Sequence, residues 1–187
     1  IPTPVVGMVG LIDEISNLMT IDFKRKGDMI FLIGRSDEDL SSSEYLSVMH
    51  LIEESAAPKF DFEYELKLQG VVSSLIRDKL ISSAHDVSTG GLFVTLVESA
   101  LPGKLGFDIT SPAEIRNDAF LFGESQSRVV VSVSSEQETG FIDFMMEAEI
   151  HFSALGHVTK EELRIDDVSY GFISDYERMY ELSLIHI

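Results

Sequence analysis

The chain has 187 residues, 44% of them hydrophobic and 25% charged. That suits one soluble domain with a proper core, burying roughly 70% of the surface its unfolded chain exposes. Its 32 acidic against 14 basic residues leave a net charge of -18, which favours solubility and argues against nucleic acid as a partner. There is no cysteine, so disulfides and thiolate metal sites are excluded and cytoplasmic residence is permitted; no apolar run approaches the roughly 20 residues of a membrane span.

In chain order, Ile1-Pro-Thr-Pro4 carries neither Met nor a secretory pattern, and the chain reads as an internal piece of something longer. Val5 to Ile12 reads as a strand or strand end, and Asp13 to Asn17 as a link. Lys24 to Asp28 has turn chemistry, and Met29-Ile-Phe-Leu-Ile33, ended by Gly34, reads as a buried strand. Arg35 to Ser43 is a polar loop, with Ser43 placed to cap a helix from Glu44 to about Glu54. After Pro58 to Asp61 comes a longer helix, with Tyr64, Leu68, Val71, Val72, Leu75, Ile76 and Leu80 at helical spacing. Its Gly70 costs up to about 1 kcal/mol relative to Ala, which burial of the stripe should outweigh.

A helix after Gly91 is apolar around much of its circumference and is stopped by Pro102-Gly103. Leu105 to Ile109 and Arg128 to Val133 are strand candidates. Gln137 to Glu149 is a helix capped by Ser135, with Phe141, Phe144, Met145 and Ala148 inward; Ala154 to Thr159 and Leu163 to Ile165 are short strands. After Asp166 the pattern weakens. Interleaved strands and helices predict an α+β fold, a layered mixed sheet with packed helices. The final Leu182-Ser-Leu-Ile-His-Ile187 resembles a translated sequencing adapter more than a native strand or helix end, and no function is rested on His186.

Two segments carry candidate chemistry. Ile81 to Leu92 reads as a strand end, a polar loop with Ser83, His85, Asp86, Ser88 and Thr89, then Gly90-Gly91 opening a helix. Such a loop can present free N–H groups to an anion, and its glycines permit close approach. It can equally be a tight turn with its own hydrogen bonds, and His85 a proton donor, a structural residue or an interface contact. Glu124, Ser125, Gln126 and Arg128 precede a strand. They could hold amide and ribose hydroxyl groups, with Arg128 on a phosphate or equally on Glu124, or form a strand-edge network. There is no P-loop, no His-Glu-x-x-His helix and no EF-hand spacing. The scattered histidines do not indicate zinc. Asp166-Asp167 reads as a solvated turn, and Met145-Met146 as core packing.

Ser83-Ala-His-Asp-Val-Ser-Thr-Gly-Gly-Leu92 and Leu121-Phe-Gly-Glu-Ser-Gln-Ser-Arg-Val-Val-Val-Ser-Val133 resemble the phosphoribosylformylglycinamidine synthase family of purine biosynthesis, as do Pro2 to Leu11 and Gly156-His-Val158. The resemblance covers about Pro2 to Asp166, and the motifs are specific together rather than singly. Aminoimidazole ribonucleotide synthase, selenophosphate synthetase, a hydrogenase-maturation protein and thiamine-monophosphate kinase are similar at a greater distance.

This resemblance implies four lobes, of which 1–17 would end one AIR synthase N-terminal-like domain and 18–181 form an AIR synthase C-terminal-like domain, leaving 182–187 as a non-native tail. It implies a ligase that is inactive as this piece alone. ATP would activate the formyl amide oxygen of formylglycinamide ribonucleotide as an iminophosphate, ammonia from glutamine would displace phosphate, and Mg2+ would bridge ATP and carboxylates, mainly in domains absent here. It also implies a glutaminase subunit and a small adaptor subunit as partners. No catalytic or metal-binding residue is expected here. Ser83, His85, Asp86, Thr89, Gly90, Gly91, Glu124, Ser125, Gln126 and Arg128 are expected to line a substrate or nucleotide site. Thr89 stands where the family more often has Asp, which removes one carboxylate. The alternatives are another superfamily enzyme, such as aminoimidazole ribonucleotide synthase, or a purely structural, partner-docking domain.

Overall fold

The structure is a computed structural model that describes residues 7–52 and 54–185. Its layering follows from β1 (Met29–Ile33). Successive strand residues point to opposite faces. Ile30 and Leu32 enter one apolar cluster, while Phe31 and Ile33 enter another. A strand covered on both faces must be apolar throughout, which is why these five residues read as an unbroken run.

The sheet is completed by β2 (Ser83–Asp86), β3 (Gly106–Ile109), β4 (Val129–Val133), β5 (Phe152–Thr159), β6 (Glu162–Ile165) and β7 (Val168–Phe172). The strand order is β2-β4-β1-β5-β3-β6-β7. β3 and β6 run parallel; the other neighbours are antiparallel. α1 (Phe62–Arg77) and α4 (Glu138–Ala148) supply Leu68, Val71, Leu75, Phe141 and Met145 to one cluster. α2 (Gly91–Ala100), α3 (Asn117–Phe122) and α5 (Ile173–Ile185) supply Leu92, Leu96, Phe120 and Ile173 to the other. Full burial of each such side chain contributes about 1.5–3 kcal/mol. The α+β class and the mixed sheet expected from the sequence are what the chain forms.

Several elements differ from the sequence reading. Residues 7–12 form no strand, and Ile15–Asn17 make a 3-10 turn; Val5, Val6 and the Pro2–Pro4 motif lie outside the described residues. The helix expected from Glu44 to Glu54 is reduced to one π-helical turn, Tyr45–Met49. Most of its apolar residues meet no layer: Val48, Met49 and Leu51 stay exposed, and Leu51 has a positive φ of 57°. Ser43 still accepts the N–H of Leu46. α4 begins after Gln137 with no side-chain cap, so Ser135 does not cap it. α3 is too short for a periodic signal. β7 and α5 follow the point where the pattern weakens, because β7 is an exposed edge with little amphipathic contrast. Residues 182–185 continue α5, and His186 lies outside the described residues.

Candidate functional site

The two polar segments meet because β2 and β4 are neighbours. Asp86 pairs with Val129, and the N–H of Val87 donates to the carbonyl of Arg128 at 2.9 Å. Beyond the strand ends, Glu124 Oε1 accepts the N–H of Gly90 at 2.9 Å and that of Glu44 at 2.9 Å. One carboxylate therefore ties the Gly-Gly loop, the approach to β4 and the π-helical turn together. It occupies the start of α2, where free N–H groups would otherwise favour an anion. Tyr45 adds a ring stacked on Phe122 with centroids 5.0 Å apart.

The candidate residues divide by what they touch. Ser83 is buried, with its Oγ 2.6 Å from that of Ser132, its register partner. His85, with an 11% exposed side chain, has Nε2 3.1 Å from Glu98 Oε2, while Nδ1 lies 3.6 Å from Asp86 Oδ1. Two carboxylates thus flank one largely covered imidazole. Gly90 and Gly91 have φ of 85° and 72°. A Cβ at Gly91 would stand 2.8 Å from the carbonyl oxygens of Leu121 and Gly123. The close approach there is of α3's end to α2's start, and it needs no ligand to explain it.

Arg128 is buried, with Nε donating to Ser125 O at 3.2 Å, one terminal nitrogen to Gly123 O and the other to Ser36 Oγ at 3.3 Å. Burial lowers its pKa to about 10, opposed by the charges of Asp37 and Glu124. Neither carboxylate bonds it directly; it holds loop carbonyls in place. Ser125 has an enclosed hydroxyl without a hydrogen-bond partner. Asp86, Ser88, Thr89 and Gln126 are exposed. Asp86, Ser88 and Gln126 open on a groove of about 170 Å³ that also includes Glu65 and Ser127.

Gln126 and Ser127 also border a larger cleft of about 600 Å³, built from Arg35, Asp37, Lys59, Phe60, Asp61 and Tyr64. The sequence reading missed these residues. The available signal was Arg35 directly after Gly34, at the exit of a buried strand, where ligand-facing groups often sit. Among the described residues, no three His, Asp or Glu side chains are grouped to hold a metal ion. No helix of the described residues is long and apolar enough to cross a membrane.

A mixed sheet with helices on both faces and two polar segments converging at its β2–β4 end defines a recognisable class. Residues 25–167 match the model for the C-terminal domain of AIR synthase related proteins, and the chain belongs to that family. It is similar to the phosphoribosylformylglycinamidine synthase subunit PurL of Caldanaerobacter subterraneus subsp. tengcongensis, 39% identical over 165 residues, covering 88% of this chain and 22% of that protein. The chain thus spans about a fifth of the length of the curated relatives it matches. Among solved structures, Thermotoga maritima PurL complexed with FGAR superposes with a TM-score of 0.72 at 16% identity, covering 87% of this chain and 30% of the other. The same protein complexed with ATP gives 0.67 at 14%, covering 87% and 28%. PurLQS from Thermotoga maritima gives 0.62 at 16%, covering 81% and 25%. At these identities the superpositions establish the shared fold.

Proposed function

We propose that this chain is the terminal companion lobe of a phosphoribosylformylglycinamidine synthase. The whole protein would be a ligase that converts formylglycinamide ribonucleotide, with ATP and glutamine-derived ammonia, to the amidine. The observation that carries the reading is the 39% identity over 165 residues to a PurL subunit, within a matching domain family. Residues 18–181 are this lobe, and the exposed segment 7–17 is the link from a preceding one. The ATP and magnesium ligands lie mainly in the other domains of that longer protein. A glutaminase subunit and a small adaptor subunit are the partners, in the cytoplasm. The superposition on PurLQS supports the choice of partners, and those on the FGAR and ATP complexes support the choice of ligands.

Within the lobe, the candidate site residues take two roles. Asp86, Thr89 and Gln126 are exposed at the β2–β4 end and face bound substrate or nucleotide. Ser83, His85, Gly90, Gly91, Glu124, Ser125 and Arg128 hold those loops in shape. The lobe alone is inactive.

The test is to express the full-length gene with its glutaminase and adaptor and to measure ATP- and glutamine-dependent amidine formation from formylglycinamide ribonucleotide. Turnover is expected with the complete assembly and none with this chain alone. A complete assembly that consumes no ATP on addition of that substrate would remove the assignment.

A further inference from the structure

The cleft of about 600 Å³ lies where the exit of β1, the approach to α1 and the segment before β4 converge. Its size falls within the roughly 300–1,000 Å³ of small-molecule sites. Arg35 and Lys59 both line it, and neither makes a hydrogen bond or ion pair with any described residue. That is unusual in a chain where 32 acidic residues compete for 14 basic ones. Two cations with no ion pair among the described residues, lining one concavity, form an anion-binding arrangement, the guanidinium suiting phosphate oxygens in particular.

The uncharged lining agrees with this. The Tyr64 ring contributes a second aromatic wall, its hydroxyl enclosed beside the backbone of His151. Phe60 is 57% exposed and offers a free aromatic face for a planar ring. Two carboxylates share the cleft. Asp61 is committed to the first turn of α1, where its Oδ1 accepts the N–H of Tyr64 at 3.0 Å. Asp37 has no hydrogen bond or ion pair, which leaves it open to accept hydroxyl groups.

We propose that this cleft binds a phosphate ester of nucleoside monophosphate size, with its phosphate between Arg35 and Lys59, its planar ring on Phe60 and its sugar hydroxyls on Asp37. The inference rests in part on the synthetase reading, because Gln126, assigned there to bound substrate or nucleotide, also borders this cleft; it adds Arg35, Asp37, Lys59 and Phe60, which lie outside both loops.

The experiment uses the full-length polypeptide and reads acylation of individual lysines by mass spectrometry, with AMP, adenosine or inorganic phosphate as the probe. AMP is expected to protect Lys59 but not Lys26, an exposed lysine on the β1 turn. Inorganic phosphate should protect Lys59 only at about tenfold higher concentration or more, for want of the ring contact, and adenosine should not protect it. Arg35→Gln, an exposed position that should not disturb folding, should raise the AMP concentration needed by about tenfold or more. Lys59 acylation unaffected by AMP, equal protection by adenosine, or an unchanged AMP requirement in Arg35→Gln would each overturn the proposal. None of these readings depends on amidine formation, so failure of the synthetase assay and failure of this one are separate results.

Discussion

A Cβ added at Gly91 would meet the carbonyl oxygens of Leu121 and Gly123 at 2.8 Å, and the residue's φ of +72° disfavours any L side chain. Backbone strain and overpacking act together there, so Gly91→Ala should lower stability by about 2–5 kcal/mol. The measurement is the midpoint of urea unfolding, and an unchanged midpoint would show that α3 yields freely. Asp28 presents the opposite situation, a residue whose replacement should help. Its carboxyl is buried with Oδ2 lacking a partner, and burial raises its pKa while nearby Arg25 only partly offsets this. An acid whose folded pKa lies above its unfolded one destabilises the fold when ionised. The penalty is therefore present above the folded pKa and fades as pH falls through it towards the ordinary carboxylate value. Asp28→Asn should raise the melting temperature at neutral pH, with the gain shrinking in acid. A gain that grew in acid would reverse the assignment.

Among the elements, the loop cluster at the β2–β4 end depends on Glu124, whose Oε1 receives the N–H groups of Gly90 and Glu44. Glu124→Ala leaves both donors without that acceptor, for a local loss of about 1–3 kcal/mol. Hydrogen exchange at those two amides should accelerate, while Glu124→Gln, which keeps a carbonyl acceptor, should preserve most of the protection. Exchange unchanged in the Ala variant would show that other acceptors suffice. The element's ingredients were legible before the fold: a strand end, Gly90-Gly91 and a helix on one side, and Glu124 to Arg128 before a strand on the other. Their assignment was not. Ser83, Arg128 and the two glycines have the residue types of a ligand loop, yet Ser132 and the backbone carbonyls of residues 121–125 account for them. Those contacts join residues distant in sequence or depend on backbone direction, which spacing does not encode. The Glu44 helix failed for a related reason, since helical stability depends on an apolar face meeting a layer.

For the whole molecule, a net charge of -18 implies self-repulsion in the folded state. Salt shortens the range of that repulsion to roughly 10 Å at about 0.1 M, so melting should shift upward by about 2–8 °C between about 0.02 M and 0.5 M sodium chloride. A downward shift would mean that the surface ion pairs outweigh the repulsion. The chain by itself determined the class: apolar runs of strand length, helical stripes on α1, α2 and α4, and motifs specific enough to identify the family. These are local signals, because periodicity and turn chemistry act over a few residues. Only the tertiary structure decided the strand order, which candidate residues are buried and which exposed, and the placing of Arg35 and Lys59 on one cleft. Those outcomes depend on how the sheet brings together residues remote in the chain, and a polar side chain's role follows from the partner it meets there.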